Sequence, residues 1–70
     1  MLIERFEELK NRIEGYAEEG VIKGLDLLSL RDYVLDTEDY IENTELYYRI
    51  NEFTRILNIL EAEIDNALNK

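Results

Sequence analysis

Residues 44–68 constrain the fold more than any other stretch of the chain. Their apolar positions Leu46, Ile50, Phe53, Leu57, Leu60, Ile64 and Ala67 step by 4, 3, 4, 3, 4 and 3. That spacing is a heptad seam on an α-helix, and no Pro or Gly interrupts it. Thr44 is suited to cap its start, because a short hydroxyl accepts from an orphan backbone N–H. Ile56 and Ile59 lay a second stripe beside Phe53, Leu57 and Leu60, so residues 53–60 are expected to touch more than one neighbouring helix.

The spacing predicts a first helix over residues 2–19. Leu2, Phe6, Leu9, Ile13 and Tyr16 again step by 4, 3, 4 and 3, with Ala17 widening only the end. So narrow a stripe suits a helix lying along a single groove. Glu8 and Arg12 are spaced for an i,i+4 pair. Gly15 falls on the exposed side, where it costs about 1 kcal/mol relative to Ala. Gly20 suits the left-handed position after a helix, with Val21 placed for the apolar contact that follows such a cap. Gly20 and Gly24 share the spacing of a transmembrane dimer motif, but no apolar helix surrounds them, so the segment reads as a turn.

A second helix is expected over residues 26–42, capped by Asp26 or by Ser29, which has Asp32 three residues on. Its main stripe is Leu27, Leu30, Val34 and Ile41, with Thr37 in the heptad place between the last two. The register slips between Ile41 and Leu46, a step of five, where Asn43 and Thr44 are boundary residues. A break there makes a small all-α three-helix bundle with heptad-like seams, one domain over residues 1–70. Without it, the second and third helices merge and the chain is a helical hairpin with a long C-terminal helix. The residues expected to be most buried are Leu9, Ile13, Leu30, Val34, Phe53, Leu57 and Leu60.

A chain of 70 residues is marginal without a disulfide, a metal or self-association. It has no Cys and no His, which removes the disulfide and the commonest transition-metal ligand. A homo-oligomer is therefore expected, with Leu28, Leu35, Ile56 and Ile59 at or near its interface. Lack of Cys fits a reducing compartment, no apolar run approaches the ~18–20 residues of a membrane span, and the acidic, amphipathic N-terminus is unlike a signal peptide. These point to a cytoplasmic protein. A net charge of −9 argues against nucleic acid and anionic membranes as partners.

No enzyme is expected. Triad chemistry needs a base beside its nucleophile, and the single Ser reads as a helix cap. Residues 36–42 loosely resemble a calcium loop, but Ile41 stands where its Gly belongs and Tyr40 where an oxygen ligand belongs. No cofactor and no metal site are expected.

Charge placement is the unusual feature. Residues 25–48 hold seven acids against one base, Arg31, and so carry two thirds of the net charge of −9. From Asp32 to Tyr48 the acids Asp32, Asp36, Glu38, Asp39, Glu42 and Glu45 run without a base, and Tyr33, Tyr40, Tyr47 and Tyr48 share the window. At 100° per residue, Asp32, Asp36 and Asp39 fall opposite the core stripe. Glu38 and Glu42 take one flank, Tyr33 and Tyr40 the other, and Leu28 and Leu35 lie between the aspartates and the glutamates. Charge runs on helices commonly make only a solvated face. Tyrosines, however, supply hot-spot area, and clustered acids steer a basic partner. Asp32, Tyr33, Asp36, Glu38, Asp39, Tyr40 and Glu42 are therefore the candidate partner-binding residues.

In size, acidity and helical content the chain resembles the small acidic proteins that phages and mobile elements use to block host proteins, some of which mimic the charge of nucleic acid. The resemblance implies an inhibitor or regulator acting on a basic protein site. The other reading is a self-assembling helical module, in which the acids only maintain solubility.

Overall fold

The computed structural model describes residues 1–44 and 50–70. They form three helices packed against one another: α1 (Leu2–Glu18), α2 (Gly24–Asn43) and α3 (Ile50–Leu68). The cross-helix pairs set the topology. Lys10 meets Glu38 and Glu14 meets Arg31, so α1 and α2 are antiparallel. Tyr40 meets Phe53 and Asp26 meets Lys70, so α2 and α3 are antiparallel too. The chain is an up-down-up bundle. No helix among the described residues is long and apolar enough to cross a membrane.

The turn after α1 follows from glycine. Glu19 ends the helix, Gly20 takes φ 72°, and the amides of Gly20 and Val21 donate to the carbonyls of Ala17 and Tyr16. This pair of bonds is the Schellman closure, which needs a residue free to adopt the left-handed region. The apolar contact does not fall to Val21, which is half exposed, but to the next residue, Ile22, which is buried.

The start of α2 also departs from the expected caps. Neither Asp26 nor Ser29 caps it. Extended Lys23 and Gly24 at φ 64° swing the chain into the helix without a side-chain cap. Asp26 lies instead in the first turn, where an anion complements the helix dipole, and it accepts a 2.7 Å bond from Lys70. At the far end Thr44 is extended and closes α2. Its expected role as the cap of the third helix, and the place of Leu46 in the seam, depend on residues 45–49, which lie outside the described residues.

Phe6, Leu9, Ile13, Ile22, Leu30, Phe53, Leu57, Leu60 and Ile64 make the core. Phe53 is its hub: Phe6 meets it edge-on at 6.5 Å, and Tyr40 stacks on it at 6.1 Å with the rings 7° apart. The second stripe of α3 is used only in part, since Ile56 is half-buried and Ile59 is exposed. Val34, expected among the most buried, is half-buried because it borders a cleft between α1 and α2 with Lys10, Glu14 and Arg31. Its heptad neighbour Thr37 goes deeper. There its hydroxyl donates to the Tyr33 carbonyl at 2.8 Å, so this buried polar side chain is satisfied.

Gly15 lies inside α1 on the exposed face, and a Cβ there would meet no atom within 4 Å. Gly15→Ala is therefore expected to stabilise the protein by roughly 0.5–1 kcal/mol through the unfolded chain and the helix propensity. Thermal melts of the two proteins check this; an unchanged or lower melting temperature would mean that the position is not a free helical site.

Candidate functional site

Among the described residues, five bases are engaged between helices. Arg5 bonds Glu61 and Asn58 at 2.9 Å each, and Arg12 lies 3.8 Å from Asp65. Arg12 thus faces α3 rather than pairing with Glu8 in its own helix. Lys10 lies 3.4 Å from Glu38 and covers the Phe6 ring. Arg31 forks onto Glu14 at 2.7 and 3.1 Å, and Lys70 reaches Asp26. These pairs sit at the rims of the helix interfaces, where exposed ion pairs add little stability.

Two of them hold carboxyls below the ordinary range. The hydrogen bonds from Arg31, then its charge, lower Glu14; the hydrogen bond from Arg5, then its charge, lowers Glu61. A depressed folded-state value means that the stabilisation is present above the unfolded carboxylate range and is lost as pH falls through the folded value. Arg31→Gln is expected to move the Glu14 titration midpoint upward while leaving that of Glu61 in place. An NMR titration of the two side chains checks this, and a Glu14 midpoint that stays put would break the assignment of its shift to Arg31.

This use of the bases decides what is left on α2. Among the described residues no cation lies within ion-pair distance of Asp32, Asp36, Asp39 or Glu42, and all four are exposed. Asp39 and Glu42 also lie towards the C-terminal end of α2, whose last turn has no base. Anions there oppose the helix dipole. The outer face of α2 thus holds acids at some cost to the helix.

The predicted site residues do not all stay together. Glu38 turns to Lys10, and Tyr40 is half-buried against Phe53, so both are drawn into helix packing. Tyr33 is at the exposed rim. Glu42 borders a cleft with Glu38, Ile3, Phe6, Glu7 and Ile41. Glu45, Tyr47 and Tyr48 lie outside the described residues. Asp32, Asp36 and Asp39 remain on the outer face together with Leu28 and Leu35, which are 57% and 60% exposed. Leu25, 81% exposed, joins them. Leu25 precedes the helix start expected at Asp26 or Ser29 and so is absent from the candidate residues, although its spacing of three from Leu28 sets it on the same side of the helix. Ile59, on α3, is 42% exposed and belongs to a different face of the bundle.

No group of His, Cys, Asp and Glu among the described residues is placed to hold a metal ion. Comparison with protein-family models, with curated proteins and with solved structures finds no match.

Proposed function

We propose that this chain is a non-enzymatic protein-interaction module, an acidic inhibitor or regulator that engages a basic site on a partner protein in the cytoplasm. One observation carries the reading. The bases of α1, α2 and the C-terminus are engaged between helices, whereas Asp32, Asp36, Asp39 and Glu42 stand exposed beside uncovered leucines. Large apolar side chains beside acids give contact area and steering at one place. The test is a pull-down with wild-type bait and with an Asp36→Lys, Asp39→Lys bait, at low and high salt. A partner held by the wild type, and lost both on charge reversal and in high salt, supports the reading. Equal capture by both baits removes it.

A second reading, a self-assembling module, draws on exposed Ile59 and half-buried Ile56 along α3. Light scattering across a dilution series checks it: a constant monomer mass into the high micromolar range ends this alternative.

A further inference from the structure

Leu25, Leu28, Asp32, Leu35, Asp39 and Glu42 step by 3, 4, 3, 4 and 3, and all six are exposed. They form a second heptad row along α2, on the side away from Leu30 and Thr37. The row passes from leucines at its N-terminal end to acids at its C-terminal end, with Asp32 and Leu35 interleaved at its middle. At 1.5 Å per residue it runs for about 26 Å, the length of a helix of about 18 residues. Beside Leu35 a cleft of about 240 Å³ opens between α1 and α2 over Val34, with Lys10 and Arg31 already paired to Glu38 and Glu14.

A second copy of the chain does not match this row over its full length. Antiparallel self-pairing sets Leu25 against Glu42, Leu28 against Asp39 and Asp32 against Leu35, so that each leucine would cover an acid. Parallel self-pairing sets Asp32 and Asp39 against their own copies, and like charges face to face are repulsive. What fits is a helix with apolar residues at heptad spacing at one end and Lys or Arg at the other, lying in knobs-into-holes contact.

We infer that the outer row of α2 is a docking face for a basic amphipathic helix of a partner protein, with Leu25, Leu28 and Leu35 taking its apolar stripe and Asp32, Asp39 and Glu42 its bases. The inference rests on the proposed interaction function and names the kind of segment that the site takes.

The test uses two fluorescein-labelled peptides of about 18 residues (length from the helix rise) with identical Leu, Lys and Ala composition. One has its leucines at 3,4 spacing towards one end and lysines towards the other; the second has the same residues in scrambled order. Fluorescence anisotropy at low salt is expected to show the ordered peptide binding about tenfold tighter or more, equivalent to about 1.4 kcal/mol or more. Leu28→Ser with Leu35→Ser is expected to erase that advantage while leaving the weaker, salt-sensitive binding of both peptides. Both leucines are exposed, and circular dichroism verifies that the variant keeps its helices. Equal affinity of the two peptides for the wild type overturns the helical face and leaves the attraction to basic surfaces standing. Failure of both peptides to bind overturns the inference together with the reading beneath it. Dimerisation in sedimentation that the two Ser substitutions abolish assigns the face to a second copy and also overturns the inference.

Discussion

Leu57→Ala is expected to remove about half of the folding stability of the protein. Leu57 has no exposed surface and lies in the core with Phe53, Leu60 and Ile64. Truncating a buried leucine removes its transfer free energy and leaves a cavity, a loss of ~2–5 kcal/mol. A domain of 70 residues has a total stability of about 4–10 kcal/mol at ordinary values per residue. A denaturant titration with Leu35→Ala as control reads the effect of position rather than chemistry. Leu35 is 60% exposed, and surface substitutions of this kind change stability by about 0.5 kcal/mol or less. If the two variants shift the midpoint alike, Leu57 is not the core residue described above.

Asp36→Lys with Asp39→Lys is expected to act in opposite directions on stability and on binding. The wild-type acids of α2 repel one another, and Asp39 and Glu42 lie near the negative end of the helix dipole. In the variant, the lysine introduced at position 36 can meet Asp32 at i−4, and the one introduced at position 39 can meet Glu42 at i+3. Each such pair stabilises a helix by about 0.2–0.5 kcal/mol. The melting temperature is expected to rise. Added salt is expected to stabilise the wild type more than the variant, because screening acts within ~10 Å at 0.1 M. Association with a basic partner is expected to slow by about tenfold or more at low salt, since steering by a charged surface supplies roughly 10–10³ in the on-rate. Stopped-flow mixing and thermal melts of one preparation read both effects. A variant that is more stable and associates as fast as wild type would leave the ridge a solvated face. A less stable variant would mean that these aspartates have favourable local partners.

Periodicity alone carried much of the architecture. The 4,3 stripes of residues 2–16 and 50–67 located α1 and α3 and their buried sides, because a helix one-third apolar has one face to hide. The glycine turn at Gly20 and the concentration of acids after Arg31 were equally legible, being properties of single residues and of order along the chain. Tertiary structure decided the rest. Ile22 is buried because a Schellman turn directs it inward, whereas no helical stripe includes it. Leu25 is part of α2 because Gly24, at positive φ, begins the helix ahead of the polar residues that resembled caps. Glu38 and Tyr40 left the candidate surface, while Asp32, Asp36 and Asp39 stayed on it, because of how α2 is rotated against Lys10 of α1 and Phe53 of α3. Helical spacing assigns a residue to a side of its own helix. Which sides then meet a base, a ring or water depends on contacts between residues far apart in the chain, and those exist only once the three helices have packed.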